Sequence, residues 1–437
     1  MGIISCSSPK EGKRTDTILK ERDRAITKDA LLEDRFNNLL PALMDKADID
    51  LWLLISREYN EDPILKTMLP ATWLNARRRT IIVFYRDKEK NTLERLAVAR
   101  YDIGKSIQSA WDKEKEPNQW KALATIIKER NPQKIGINTS THFALADGLV
   151  KTDYDELVEN LPKELSSKIV SAEKLGIAWL ETRTEKELAL FRKLVKTTHD
   201  IIDETFSAKT IIPGETSTED LVWFMRQKVT DLGLETWFHP TIDVQRNNEA
   251  LKSHIESFSK GKDKKIIQKG DLLHCDFGIT YIGLNTDCQQ HAYVLKDDEK
   301  EVPQFLQEAF KKGNRVQDIL TSTMKSGKTG NEILLESLAK GKAEGLRPLI
   351  YTHPLGKYGH SAGTTIGMWD AQGGVPFNGD YPLQKNTAYA IELNTTVYIK
   401  EWNKDIRIML EEAGFFGDDT FEYVNERQIA VKPIKIN

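Results

Sequence analysis

Two aspartates eleven positions apart, Asp276 and Asp287, place the strongest constraint on how this chain folds. The first lies on an apolar run within the stretch 270–278, and glycines at 278 and 283 separate it from the second. A strand, a tight turn and a second strand bring such residues together if the turn changes which face they occupy. Two carboxylates that converge in apolar surroundings repel each other unless a proton or cation lies between them. The stretch therefore indicates either a metal site or two unrelated acids.

The composition excludes several broad classes of protein. A chain of 437 residues exceeds one ordinary core and predicts two domains. The 63 basic and 66 acidic residues give a net charge of −3, which offers no electrostatic case for nucleic acid. No apolar run reaches the length of a membrane span, and three cysteines are too few for a disulfide framework. We expect a soluble protein with reduced thiols.

The N-terminus contains a short pattern that bears on location. Ile3-Ile4-Ser5-Cys6 has the form of a bacterial lipobox, followed by a polar stretch typical of a flexible tether. The apolar segment that a signal peptide needs does not precede Cys6. Two locations stay open: a bacterial cell-envelope lipoprotein if Cys6 is a trimmed lipobox cysteine, and the cytoplasm otherwise.

The alternation of apolar patterns divides the chain into a flexible tail at 1–20 and two domains. Helical spacing and short strand-like runs alternate over 21–175, which predicts an α/β domain without chemistry of its own. Over 176–437 helices alternate with strand-rich pieces, which predicts an α+β domain. Three capping boxes open helices there: Thr184 with Glu187, Thr216 with Glu219, and Thr329 with Glu332.

Three further potential ligands follow the aspartate pair: His360, Glu392 and Glu411. Each lies in a strand-like or glycine-flanked segment. Four carboxylates and one imidazole can hold two divalent ions if one Asp and one Glu bridge them. Such oxygen-rich ligation suits Mn²⁺, Co²⁺, Zn²⁺ or Fe²⁺ better than a structural zinc site.

With the order Asp, Asp, His, Glu, Glu and this spacing, the chain resembles the creatinase/aminopeptidase P/prolidase group of metallopeptidases. The resemblance implies a C-terminal pita-bread catalytic domain behind an α/β creatinase-type N-terminal domain. It also implies two divalent metal ions, with Mn²⁺ the first expectation. In that scheme Asp276 binds one metal, Asp287 and Glu411 bridge both, His360 is the sole histidine ligand, and Glu392 is both ligand and general base.

The resemblance assigns further roles near the metals. Glu411 is preferred to Glu412 because the first acid of the family's Glu-Glu pair ligates. His254 and His353 are candidate catalytic histidines. On the substrate side the candidates are three residues: His239, Trp369 and Arg407.

Three departures from the family pattern bear on the substrate. Family peptidases usually carry a second histidine about seven positions after the metal histidine, where this chain has Trp369. Cys288-Gln289-Gln290 replaces the usual Thr-Arg-Thr, and Leu393-Asn394 replaces Pro-Gly after Glu392. The ligand set is intact, whereas the preference for Xaa-Pro bonds is open.

The predicted function is therefore a dinuclear metal-dependent peptidase that hydrolyses short peptides from the N-terminus, of the Xaa-Pro aminopeptidase or dipeptidase type. Two alternatives stay open: a catalytically silent peptide-binding homologue, and a creatinase-like amidinohydrolase. The expected partners are a short peptide substrate and a second copy of the chain in a homodimer.

Overall fold

The computed structural model describes residues 18–253, 256 and 264–436. Among them the helices are α1 Glu21–Asn38, α2 Leu40–Ala47, α3 Pro63–Thr67, α4 Gln119–Arg130, α5 Lys151–Asn160, α6 Lys163–Ser166, α7 Glu173–Glu181, α8 Glu185–Thr205, α9 Thr218–Asp231, α10 Gln304–Thr323 and α11 Gly330–Ala343. The strands are β1 Leu51–Arg57, β2 Arg79–Asp87, β3 Thr92–Ala97, β4 Gln108–Ser109, β5 Ile135–Ile137, β6 Ile169–Ser171, β7 Thr241–Gln245, β8 Leu272–Phe277, β9 Thr280–Tyr281, β10 Leu284–Asn285, β11 Cys288–Val294, β12 Pro348–Ile350, β13 His353–Pro354, β14 Thr387–Ala390, β15 Leu393–Ile399, β16 Lys404–Leu410, β17 Ala413–Phe416, β18 Phe421–Tyr423 and β19 Lys432–Ile434.

The first half of the chain forms a mixed sheet in the order β4-β3-β2-β1-β5-β6. Its central strand β1 is buried on both faces, as its continuous apolar sequence predicts. Trp52 packs with Phe36 of α1 on one face, and Leu53 packs with Leu123 of α4 on the other. This layered arrangement matches the predicted α/β domain.

The described part of the second half contains a two-stranded sheet, β9 with β10, and three larger sheets covered by two helix pairs. The orders of the three larger sheets are β19-β11-β8-β7, β12-β15-β16 and β13-β14-β17-β18. Apolar side chains of α8 and α9 share a core with β8 and β11, whereas α10 and α11 share one with β15 and β16. An isolated bridge between Gln289 and Glu411 brings β11 next to the end of β16. Two sheets therefore meet at the aspartate-rich segment.

Two of the three predicted capping boxes are confirmed, at Thr184 and Thr329. The prediction for Thr216 with Glu219 is wrong by one residue, because Ser217 caps α9 together with Asp220. Thr216 is already engaged, since its hydroxyl accepts the N–H of Ile212 in the preceding turn.

The domain boundary predicted at 175/176 falls within α7, whose apolar side chains pack into the core of the first half. The boundary stays a prediction. Cys6 and most of the proposed tail lie outside the described residues. Within the described ranges, no helix combines the length and apolar character that crossing a membrane requires.

Candidate active site

Three neighbouring strand segments bring the predicted carboxylates together. Asp276 lies near the end of β8, Asp287 directly precedes β11, and Glu411 directly follows β16. Gln289 is the cross-strand neighbour of both Asp276 and Glu411, which fixes the register of the three segments. One oxygen from each of the three acids lies within 4.8 Å of those of the other two. The two aspartates therefore meet as the strand–turn–strand pattern predicts.

Glu392 reaches the same place from the junction of β14 and β15. Its backbone carbonyl accepts the N–H of Tyr351 at 3.1 Å and the hydroxyl of Thr352 at 3.0 Å, which fixes this junction. Its carboxylate forms a potential metal-binding group with Glu411 and His353. We refer to Asp276, Asp287, Glu392 and Glu411 as the carboxylate cluster.

The cluster carries strong electrostatic repulsion. Burial raises the pKa of Asp287 well above its ordinary value, and the charges of Glu411, Asp276 and Glu392 raise it further. Burial and the charges of Glu411 and Asp276 likewise raise the pKa of Glu392, and burial with Asp276 raises that of Glu411. Acids arranged in this way favour bound protons or a cation between them.

The two candidate histidines lie in different positions relative to the cluster. His353 Nε2 is 3.5 Å from Glu411 Oε1, 3.7 Å from Asp287 Oδ2 and 3.9 Å from Glu392 Oε2. Strand β13 pairs with β14 and places His353 opposite Ala390, two residues before Glu392. His353 therefore faces three of the four acids.

His360 lies at the edge of the cluster. It joins a potential ligand group with Asp287 and His353 but is an exposed residue. Its ring is perpendicular to that of His353, with centroids 4.6 Å apart, and lies 5.2 Å from the ring of Trp237. Among the described contacts, His353 lies within 4 Å of three cluster acids, whereas His360 shares a potential ligand group with one of them, Asp287.

Several buried atoms of the cluster fit a divalent cation. Asp287 Oδ1, Glu411 Oε1 and His353 Nε2 are buried and have no hydrogen-bond partner among the described residues. Each buried unsatisfied polar atom costs about 1–3 kcal/mol, and more if it is charged. Oxygen donors with one nitrogen are the set that a divalent ion such as Mn²⁺ accepts. The residues present therefore fit the expected metal.

Gln289 links the cluster to a second polar layer, a contact that sequence reasoning missed. Its amide nitrogen donates to Glu392 Oε1 at 2.6 Å and to Glu411 Oε2 at 2.9 Å. Its carbonyl oxygen lies 3.0 Å from His274 Nε2, whose other ring nitrogen is 3.5 Å from Asp243 Oδ2. Strand alternation gave the available signal, because Gln289 is two residues after Asp287 and shares its face.

Two cavities open beside the cluster. One of about 480 Å³ is lined by His353, His360, Glu392 and Trp369 and by the 142–145 loop of the first half. The other, of about 100 Å³, is lined by Asp276, His274, Asp243 and Arg407. Trp369 and Arg407 therefore line different cavities next to the cluster.

One other predicted residue, His239, lies away from the cluster. His239 is exposed, with its ring against Trp223 and its Nδ1 3.2 Å from Arg226 Nη1. Two residues earlier, Trp237 contacts His360, so the segment does reach the site but through a residue that sequence reasoning missed. His254 lies outside the described residues.

Glu412 points away from the cluster. Its carboxylate accepts a hydrogen bond from Gln290 at 3.1 Å and lies 2.7 Å from His199 Nε2. The preference for Glu411 over Glu412 is therefore consistent with the way the two side chains point from the chain.

Comparisons with known proteins identify the family. The model of metallopeptidase family M24 matches residues 189–413, just over half of the chain. The X-Pro aminopeptidase of Thermotoga maritima is similar in structure with a TM-score of 0.64 at 15% identity, covering 90% of this chain and all of that one. A putative aminopeptidase P from Bacillus anthracis has a TM-score of 0.59 at 13% identity, covering 94% of this chain and 97% of that one.

An Xaa-Pro dipeptidase from Bacillus anthracis is also similar, with a TM-score of 0.55 at 17% identity, covering 94% of this chain and all of that one. A search of curated proteins finds no match. The structural similarities establish the fold, and the match to the family model establishes the enzyme class. The chain belongs to metallopeptidase family M24 and is a peptidase with the pita-bread fold.

Proposed function

We propose that this peptidase uses two divalent metal ions and hydrolyses short peptides from the N-terminus, as an Xaa-Pro aminopeptidase or dipeptidase. The observation that carries the proposal is the convergence of buried atoms without described hydrogen-bond partners on Asp287, His353 and Glu411. A protein that buries such atoms among four acids gains stability when cations bind between them.

We further propose that His353 supplies the imidazole ligand, in place of the predicted His360. Its Nε2 lies within 4 Å of three cluster acids, whereas His360 is exposed at the edge. His360 follows His353 by seven positions, the interval at which family peptidases usually carry their second histidine. With this reassignment His360 is the family's second histidine, and Trp369 does not replace it. Trp369 therefore no longer favours a catalytically silent homologue.

The cations, Glu392 and His360 have different roles in the proposed reaction. When bound, the two cations supply a hydroxide nucleophile and polarise the scissile carbonyl. Glu392 lines the larger cavity and is the cluster acid that we assign as general base for the attacking water. His360 lies at the cavity wall, where its imidazole can donate a hydrogen bond to the substrate carbonyl. Oxygen-rich ligation makes Mn²⁺ the first choice of metal, ahead of Zn²⁺, Co²⁺ or Fe²⁺.

The larger cavity supports a short substrate. The 142–145 loop from the first half of the chain lines it together with His353 and His360, and a volume of about 480 Å³ suits a short peptide. Preference for proline is proposed from the solved structures named X-Pro aminopeptidase and Xaa-Pro dipeptidase, which share the fold. A homodimer is likewise proposed from the family resemblance, and light scattering tests it.

The test is a substrate panel with metal-reconstituted protein. Protein loaded with Mn²⁺ is given Xaa-Pro dipeptides, tripeptides with proline in second position, and matched peptides with alanine there. We expect hydrolysis of at least one proline peptide, lost in Glu392→Gln at unchanged metal content and retained in Glu401→Gln, an exposed acid between β15 and β16. Protein that holds two metal ions per chain and cleaves none of the peptides contradicts the proposal.

A further inference from the structure

A second cluster of metal-binding side chains lies behind the carboxylate cluster. His199 Nε2 is 2.7 Å from Glu412 Oε2 and 3.7 Å from Cys288 Sγ. The three potential ligand atoms all lie within 4.8 Å of one another. His199 comes from α8, Cys288 from the first position of β11, and Glu412 from the segment between β16 and β17.

The position of this cluster follows from strand alternation. Cys288 and Glu412 are the chain neighbours of Asp287 and Glu411, and successive side chains of a strand point to opposite faces. The catalytic acids and the second cluster therefore occupy opposite faces of the same two segments. Cys288 is fully buried, Glu412 is 1% exposed, and the His199 side chain is 12% exposed, which leaves a path from solvent.

We propose that His199, Cys288 and Glu412 form a zinc-binding site separate from the carboxylate cluster. A thiolate, an imidazole and a carboxylate are the three ligand types that zinc binds, with a fourth position left for water. Zinc bond lengths of 2.3 Å to sulfur and about 2.0 Å to nitrogen require a separation of about 3.5 Å between the two ligand atoms. The 3.7 Å between Cys288 Sγ and His199 Nε2 already meets that requirement.

Binding requires a rearrangement of the ligand atoms and the release of two protons. The oxygen of Glu412 that now lies 2.7 Å from His199 Nε2 must move to about 3.3 Å from it as zinc replaces the shared proton. That proton and the thiol proton of Cys288 are released to solvent. The site then holds Zn²⁺, a thiolate, a carboxylate and a neutral imidazole.

The surrounding groups already hold the ligands in place. The other oxygen of Glu412 accepts hydrogen bonds from Gln290 Nε2 and from the backbone N–H of Gln428, both at 3.1 Å. The Asn425 amide lies 3.2 Å from His199 Nδ1, and in its other orientation its oxygen accepts the Nδ1–H of a metal-bound imidazole. Such supporting hydrogen bonds orient metal ligands and fix the histidine tautomer.

The two clusters differ in the metal that they select. Thiolate favours zinc over manganese, whereas the carboxylate cluster offers only oxygen and nitrogen donors. Zinc bound by His199, Cys288 and Glu412 ties α8 to the two segments that carry Asp287 and Glu411. We therefore expect it to stabilise the fold around the active site without contact with the substrate.

Cobalt absorption tests the site directly, because only a thiolate ligand gives a near-ultraviolet charge-transfer band with Co²⁺. The full chain is studied as the double variant Cys6→Ser, Cys275→Ala, in which Cys288 is the remaining cysteine. We expect the band on titration with Co²⁺, its loss on addition of Zn²⁺, and no band when Cys288→Ser is added. His199→Gln is expected to weaken zinc binding at least tenfold.

Metal content supplies the second measurement. Protein first loaded with Mn²⁺ and then dialysed against a slight excess of Zn²⁺ is expected to retain one more zinc ion per chain than its Cys288→Ser form. A folded double variant without the cobalt band overturns the proposal and leaves His199 and Glu412 as a buried ion pair only. Neither measurement depends on peptide hydrolysis, so failure here is distinct from failure of the proposed function.

Discussion

Replacing one buried acid, Glu187, offers a sharp test of how the two halves of the chain hold the active site. Glu187 is completely buried on α8, where Arg35 lies 2.6 Å away, Lys357 2.6 Å and Arg183 3.6 Å. Burial on its own raises the pKa of Glu187, but the three cations more than offset it and hold the pKa well below its ordinary value. Lys357 lies in the loop between His353 and His360, so this network anchors the histidines to the first half.

Glu187→Gln removes the charge and leaves three buried cations without their shared anion. Loss of one partner of a buried ion pair costs about 3–5 kcal/mol. The Arg35 guanidinium still donates hydrogen bonds to the backbone carbonyls of Trp179 and Thr182. The loss is therefore expected to be that of one buried ion pair, although three cations contact Glu187. Glutamine can still serve in the capping box of α8, which keeps helix capping out of the comparison. We therefore expect the free energy of unfolding to fall by about 3–5 kcal/mol.

Urea denaturation followed by circular dichroism measures this loss. Glu332→Gln is the matched control, because Glu332 occupies the same capping-box position in α11 but is exposed. That control is expected to cost less than about 0.5 kcal/mol. Equal losses in the two variants refute the reasoning, since they show that the buried cations do not depend on Glu187.

Two further changes test other parts of the structure. Gln289→Met removes the amide that donates to Glu392 and Glu411, and we expect the affinity for Mn²⁺ to fall about 10–100-fold. The control is Gln304→Met, at an exposed glutamine of α10. An unchanged Mn²⁺ titration of Gln289→Met contradicts this role. Burial raises the pKa of Glu181 from 4.5 to about 8, so its contribution to stability is complete below pH 4.5 and is lost as the pH rises through 8. Between pH 5 and 8 the parent's free energy of unfolding is expected to decline by at most about 1.4 kcal/mol per pH unit because of Glu181, and Glu181→Gln is expected to remove that decline. Urea unfolding at several pH values measures it, and the same dependence on pH in variant and parent contradicts the prediction.

The positions of the acids could be predicted because local rules determine them. The spacing of Asp276 and Asp287, the apolar runs and the intervening glycines specify a strand, a turn and a strand, and these bring the side chains together. Two of the three capping boxes were likewise confirmed because a capping box depends on four consecutive residues.

The seven-residue interval between His353 and His360 was a sequence signal for the proposed reassignment, but the position of their loop against the acids depends on tertiary contacts. The loop between them is held by Lys357 on Glu187 and by the hydroxyl of Tyr358, which donates to the carbonyl of Pro63 at 2.8 Å. Those contacts join segments more than 150 positions apart, so spacing along the sequence carries no record of them.

Tertiary contacts also explain why the sequence did not reveal the cluster of His199, Cys288 and Glu412. His199 and Glu412 are 213 positions apart and meet only because α8 packs across β11. Taken alone, His199 resembles any histidine on an amphipathic helix. Cys288 is a buried free cysteine in the structure, and its neighbours become evident only in three dimensions.

Anomalous X-ray diffraction at the manganese edge from crystals of Mn²⁺-loaded protein tests the central claim most directly. The account predicts two peaks about 3.5–4 Å apart, the separation of catalytic metal pairs, among Asp276, Asp287, Glu392 and Glu411. One of them is expected to be bound by His353 Nε2, with His360 outside the coordination sphere. A peak bound by His360 instead of His353 contradicts the ligand assignment, and the absence of any peak among the four acids contradicts the metal centre itself.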